Sequence, residues 1–136
     1  MFYMEQELKT KKETGIVIPL GAIREKDNSI IVTYLSLKKV IEFCKKSNLS
    51  IIQLLPVNDT GTHSSPYSGL SAFALHPIYI CLEATEGFSE LYKTNSVFAE
   101  KYDAYVKKYS KPASKTRNRY DYSGILNDKT ALLKEI

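Results

Sequence analysis

Residues 51–83 read IIQLLPVNDTGTHSSPYSGLSAFALHPIYICLE, and the fold turns on how their first half is taken. Ile51-Ile52-Gln53-Leu54-Leu55 is a short apolar run that Pro56 ends. The loop behind it is rich in Asn, Asp, Thr, Gly and Ser, and carries Ser65-Pro66-Tyr67 and then Ser71-Ala72-Phe73-Ala74. A strand that hands a polar loop out at its carboxyl end is the plan of α/β proteins, where strands carry stability and loops carry chemistry.

Working outward, residues 15–20 (GIVIPL) form a second short apolar run beside glycine, which predicts a strand buried on both faces. Pro19 has no N–H for a ladder, so it is expected near that strand's carboxyl end. Between the two runs, Leu37, Val40, Ile41 and Cys44 recur at helical spacing, with Lys38, Lys39, Glu42, Lys45 and Lys46 on the other face. Ser36 is placed to cap that helix and Asn48 to stop it in a left-handed conformation. Strand, helix and strand make a βαβ unit, whose strands run parallel. Residues 21–28 read as loop, residues 29–34 have strand composition that leaves their role ambiguous, and residues 1–14 read as a lead-in segment.

Downstream, residues 78–82 predict a short extended segment. A helix opening at Ser89 carries Phe98, Tyr102, Tyr105, Val106 and Tyr109 at helical spacing, a stripe read as core rather than ligand platform. Ile125, Leu126, Lys129, Leu132, Leu133 and Ile136 form a last helical stripe that is still running at the final residue. It predicts an apolar face left open and a domain that continues.

At 136 residues, with 43% hydrophobic and 25% charged residues, the chain can build a core and is not globally disordered. A net charge of +4 is too mild to argue for nucleic acid. Residues 107–119 hold six basic residues and no acidic one, but their Ser, Pro and Asn content reads as a solvated loop. Cys44 and Cys81 belong to no metal-binding spacing and are read as reduced thiols. The start of the sequence has no apolar core of a secretory signal, and no apolar run reaches the roughly 18 residues of a membrane span, so the expected compartment is the cytoplasm.

Three pieces, GIVIPLGAI (15–23), SIIQLLPVNDTG (50–61) and SSPYSGLSAFALHPIYI (64–80), resemble the 4-alpha-glucanotransferases of glycoside hydrolase family 77 in their amino-terminal part, and YDYSGILNDKTALL (120–133) is similar to a later helix of that family. The resemblance implies an α/β chain that is an incomplete (β/α)8 TIM barrel: residues 15–136 hold the first two parallel strands with their helices and an inserted helical region. It implies retaining transfer of α-1,4-glucan segments between maltooligosaccharides through a glycosyl-enzyme intermediate. No cofactor and no metal are implied. The implied partners are α-1,4-glucans and the remainder of the barrel, with neither nucleic acid nor a membrane.

By that resemblance Tyr67 and Ser65 are substrate-binding residues: the Tyr67 ring stacks on a glucose face, and Ser65 offers a hydroxyl to bound glucan. The family's catalytic carboxylates lie in Arg-Ile-Asp-His, Glu-Asp-Leu-Gly and Thr-Gly-Thr-His-Asp segments, none of which this chain has, so no catalytic residue is assigned and the chain alone is expected to be inactive. Thr60-Gly61-Thr62-His63 mimics the last of these, but Ser64 replaces its aspartate and His63 reads as a loop residue. Asp59 within Asn58-Asp59-Thr60-Gly61 reads as turn chemistry rather than half of a catalytic pair with Glu83. The sequence departs from many relatives at residues 29–34, which lack their Gly-Ile-Gly-Asp turn, and at Thr62, where some carry a tyrosine. The alternative function is a non-catalytic carbohydrate-binding or assembly module that keeps the Tyr67 loop.

Overall fold

Gly15–Ile18 (β1) and Ile51–Leu54 (β2) lie side by side in parallel, with Gly15 opposite Ile51 and Val17 opposite Gln53. The computed structural model describes residues 12–23, 33–110 and 121–136. The expected lead-in, most of the ambiguous segment 29–34 and most of the basic run fall outside these described residues. A parallel pair needs a crossover longer than a hairpin, and α1 (Leu37–Lys46) lies on it. Glycine lets the strands approach: a Cβ on Gly15 would sit 2.5 Å from the Ile51 carbonyl oxygen. β1 ends just before Pro19, as expected, and the chain then makes a 3-10 turn at Leu20–Ala22.

Burial departs from the two-sided pattern expected of these strands. Residues in both alternate between exposed and half-buried. Ile16, Ile18 and Ile52 pack with Leu20, Ile23, Val40 and Cys44, on the side that α1 covers. Val17 and Ile51 stay 62% and 44% exposed. An apolar run reads the same whether one or both of its faces are covered, because alternation is visible only when the open face is polar.

α1 buries Val40 and Cys44, while Ile41 of the same stripe remains mostly exposed. Ser36 does not cap it by a side-chain bond. Instead Thr33 and Ser36 bond each other's backbone N–H groups around the 3-10 turn Tyr34–Ser36, one turn earlier. Asn48 takes the left-handed conformation expected of it, with φ 55°.

A second core joins α2 (Phe88–Thr94), α3 (Ser96–Tyr109) and α4 (Tyr122–Leu133) through Ile78, Leu82, Phe88, Phe98, Tyr105, Tyr109, Ile125, Leu126 and Leu132. The aromatic stripe is core, as read. The single helix expected from Ser89 is two helices, because extended Asn95 breaks it and caps α3 by accepting the Phe98 N–H at 3.0 Å. The extended segment expected at residues 78–82 shrinks to Ile80 and Cys81, which link 3-10 turns at Pro77–Tyr79 and Leu82–Ala84. The apolar face of α4, expected to be open, is covered by α3 and the turn at Pro77, and Ile136 is half-buried against the same cluster. Tyr79 packs against both cores and joins them.

Two parallel strands and four α-helices among the described residues thus form a small α/β unit. No described helix is long and apolar enough to cross a membrane.

Candidate functional site

β2 stops at Leu54, and the chain leaves its carboxyl end into a loop that returns at His76. The two limbs bond each other. Asn58 and Leu75 form an isolated antiparallel bridge, the Asp59 N–H donates to the Ala74 carbonyl at 2.8 Å, and the His76 N–H donates to the Val57 carbonyl at 3.0 Å. The Asn58 amide adds a bond to the Ala72 carbonyl at 2.8 Å, and the Leu70 N–H reaches the Asp59 carbonyl at 2.7 Å. The Ser71 hydroxyl accepts the Phe73 and Ala74 N–H groups, so the small-residue run is tied by its own side chain. The loop is therefore an ordered scaffold, tied across by bonds of its own backbone and side chains.

On this scaffold Tyr67 projects outward with 73% of its surface exposed. Ser65 starts its turn: its carbonyl accepts the Ser68 N–H at 3.1 Å and its hydroxyl accepts the Tyr67 N–H at 3.4 Å. The hydroxyl keeps its own proton to donate. Leu70, Phe73 and Leu75 are also exposed, Phe73 by 95%. An open cleft of about 650 Å³ lies between Asp59 and Gly61 of the loop and Leu126, Asn127, Thr130 and Ala131 of α4. Neither Ser65 nor Tyr67 lines it. The two expected contact residues are presented on the outer surface of the loop.

The turn reading of Asp59 matches its geometry, since its Oδ1 accepts the Gly61 N–H at 2.8 Å. Gly61 has φ +56°, a conformation that favours glycine. His63 is an exposed turn residue whose N–H donates to the Thr60 carbonyl and whose carbonyl accepts the Thr60 hydroxyl at 2.5 Å. Glu83 is held elsewhere. Its carboxylate accepts bonds from the Tyr102 hydroxyl of α3 and from the Cys81 thiol, so Glu83 and Asp59 belong to different networks. Burial is the largest influence on Glu83 and opposes its ionisation. The Tyr102 hydroxyl, its own backbone N–H, the Cys81 thiol and the Lys129 charge together outweigh it, and the Glu83 pKa lies below the ordinary value. Both cysteines are free thiols, Cys44 buried and Cys81 half-buried. Among the described residues no group of three or more His, Cys, Asp and Glu is arranged to hold a metal ion.

The residues that sequence reasoning passed over are the ones beneath the loop. His76 is 1% exposed. Its Nδ1 accepts the Ile78 N–H at 3.3 Å, so the neutral ring carries its proton on Nε2. That nitrogen lies 3.1 Å from the Gly61 carbonyl and 2.8 Å from the Tyr122 hydroxyl of α4. Burial lowers the His76 pKa, against the pull of the Gly61 carbonyl and of Asp59, whose carboxylate is 3.9 Å away. Lys129, also on α4, is 3% exposed and donates from Nζ to the Ile78 carbonyl at 2.7 Å. Burial pushes its pKa down to about 8, with Glu83 and Cys81 pulling the other way. The available signal was two polar residues, His76 and Lys129, inside otherwise apolar runs.

Residues 18–136 match the 4-alpha-glucanotransferase family. The chain belongs to that family. Over 75 residues it is 41% identical to the 4-alpha-glucanotransferase of Chlamydia pneumoniae, a match that covers 55% of this chain and 14% of the relative. Against 4-alpha-glucanotransferase DPE2 of Oryza sativa subsp. japonica it is 39% identical, covering 52% of this chain and 8% of the relative. With the Chlamydia muridarum 4-alpha-glucanotransferase it shares 31% identity over 94 residues, or 69% of this chain and 18% of the relative. The chain thus corresponds to a small part of the length of these glucanotransferases.

Proposed function

We propose that residues 15–136 are the amino-terminal part of a 4-alpha-glucanotransferase barrel, and that their loop is the wall that holds one glucose ring of an α-1,4-glucan. The observation that carries this reading is Tyr67: an aromatic ring 73% exposed, on an internally bonded loop that leaves the carboxyl end of a parallel strand. An aromatic ring stacks on the apolar face of a sugar, and the Tyr67 phenol and Ser65 hydroxyl can bond the sugar's rim. The outward side chains of Val17 and Ile51, on a sheet with two strands among the described residues, suit the first two strands of a (β/α)8 barrel, which closes only when further strands pair with them.

In the complete enzyme of this reading, a carboxylate attacks the anomeric carbon while a second carboxyl group protonates the departing sugar oxygen. The second group then takes the proton of an acceptor sugar hydroxyl, which displaces the enzyme carboxylate and restores the original configuration. Neither carboxylate is assigned within this chain, which supplies binding and not chemistry. The compartment that goes with two free thiols, Cys44 and Cys81, is the cytoplasm.

The test is complementation. Maltotriose is incubated with the 136-residue chain alone, and with the chain mixed with a Chlamydia pneumoniae enzyme from which the matching segment has been deleted. The chain alone is expected to release no glucose. The mixture is expected to form glucose and longer maltodextrins, and Tyr67→Ala to slow this roughly two- to tenfold, the factor that one lost aromatic contact is worth. Turnover by the chain alone overturns the assignment of chemistry elsewhere. Saturable maltotriose binding with no restored transfer favours the carbohydrate-binding module instead.

A further inference from the structure

We propose that Tyr122 and Lys129 are positioning residues for the Tyr67 loop, two side chains of α4 that together fix the loop's returning end. The inference deepens the sugar-contact reading and rests on it for its functional consequence. The outgoing end of the loop needs no such help, because it follows directly from β2 and the Leu55 N–H still donates to the Ile18 carbonyl at 3.1 Å. The returning end enters no strand among the described residues. It enters the 3-10 turn Pro77–Tyr79, and α4 packs directly on that turn.

The contacts there are directional. His76 is a junction: Nδ1 takes the Ile78 N–H, and the Nε2 proton is shared between the Gly61 carbonyl near the loop's start and the Tyr122 hydroxyl. Tyr122 also lies 3.5 Å from the hydroxyl of Thr60, a loop residue that is 3% exposed. Two turns along α4, Lys129 reaches the carbonyl of Ile78, the residue whose N–H is already on His76. Both polar groups of one fully buried residue are thereby assigned, one to the loop and one to the helix.

A lysine is an expensive way to fill this site. Its neighbours along the buried face of α4 are Ile125, Leu126 and Leu132, and a methionine would occupy the space without burying an ammonium group. Replacing a buried charge by an apolar side chain is often neutral or stabilising, so such charges are better explained by the arrangement they specify than by the stability they add. What Lys129 specifies is the height and rotation of the Pro77 turn on α4, and with it where His76 stands. Tyr122 sets the ring from the other side. Movement of that junction moves both ends of the 60–76 segment that carries Ser65 and Tyr67.

The experiment compares wild type, Tyr122→Phe and Lys129→Met in the 136-residue chain, following hydrogen exchange by mass spectrometry and tyrosine-fluorescence quenching by maltotetraose. Tyr122→Phe removes the hydroxyl contacts to His76 and Thr60, Lys129→Met removes the bond to the Ile78 carbonyl, and both keep the volume. Exchange in peptides from residues 57–76 is expected to rise roughly three- to tenfold, the factor one hydrogen bond is worth, with peptides from α3 unchanged. Maltotetraose quenching is expected to weaken in parallel. Unchanged exchange in the loop, or equal acceleration in every segment, overturns the proposal. If wild type does not respond to maltotetraose, the sugar reading of the loop fails, and the exchange result still decides the positioning role.

Discussion

His76 gives the loop a pH dependence whose sign follows from its bonds. The ring is neutral in the fold because Nδ1 already accepts the Ile78 N–H, and protonation there would set two donors against each other. Burial lowers its pKa below the ordinary 6.5; Asp59 faces it at 3.9 Å and works the other way, as does the Gly61 carbonyl, while the Tyr79 and Tyr122 rings pack around it. With the folded value depressed, the unfolded chain takes up the proton first as pH falls. Stability supplied by neutral His76 is therefore complete above about 6.5 and declines as pH drops toward the folded value, by at most about 1.4 kcal/mol per pH unit for a single proton. The urea midpoint of the wild-type chain is expected to fall between pH 7.5 and pH 5, and the fall to shrink in His76→Asn. A drop of the same size in that variant would assign the dependence to other groups. The carboxylates with lowered pKa values, Glu83 and Asp128, act in a more acidic window and do not mimic it.

Among the elements, the break between α2 and α3 shows what one side chain does to a helix. The aromatic spacing continues into α3, yet Asn95 is extended and its Oδ1 accepts the Phe98 N–H, so a new helix starts there. Loss of such a cap costs about 1 kcal/mol, and Asn95→Ala is expected to lower unfolding stability by that amount, where Asn95→Asp, which keeps the acceptor, is close to neutral. A denaturation series on the three chains measures it. Periodicity alone does not say whether an asparagine within an apolar repeat interrupts a helix or decorates it. The strand–helix–strand order, the ends at Pro19 and Asn48 and the aromatic core were all legible, because each rests on local chemistry. The open face of β1 and β2, the covered face of α4 and the His76 junction were not. Each depends on which distant segment arrives: His76 meets Tyr122 across 46 residues and Ile78 meets Lys129 across 51. Ser65 and Tyr67 were legible as a motif, and what holds their loop was not.

For the whole molecule, the open surface sets the behaviour in solution. Val17 and Ile51 leave apolar side chains outside the sheet, Leu70, Phe73 and Leu75 do so on the loop, and Ile41 and Phe43 do so on α1. The sheet has two strands among the described residues, so its outer edges offer unpaired backbone groups beside those side chains. Edges and apolar patches of this kind pair with whatever chain is near, and in an isolated preparation that is a second copy. A net charge of +4 on 136 residues gives only weak mutual repulsion, which salt screens further. The chain alone is accordingly expected to associate as its concentration rises. Light scattering coupled to size exclusion is expected to give a mass above 15.4 kDa that falls on dilution. Two substitutions separate the sources of that association. Val17→Thr keeps strand propensity while making the open face more polar, and Phe73→Ser removes the most exposed ring on the loop. If the sheet face drives association, Val17→Thr lowers the apparent mass and Phe73→Ser does not. A monodisperse 15.4 kDa species at every concentration would mean that the chain covers these surfaces itself, and would count against its being part of a larger barrel.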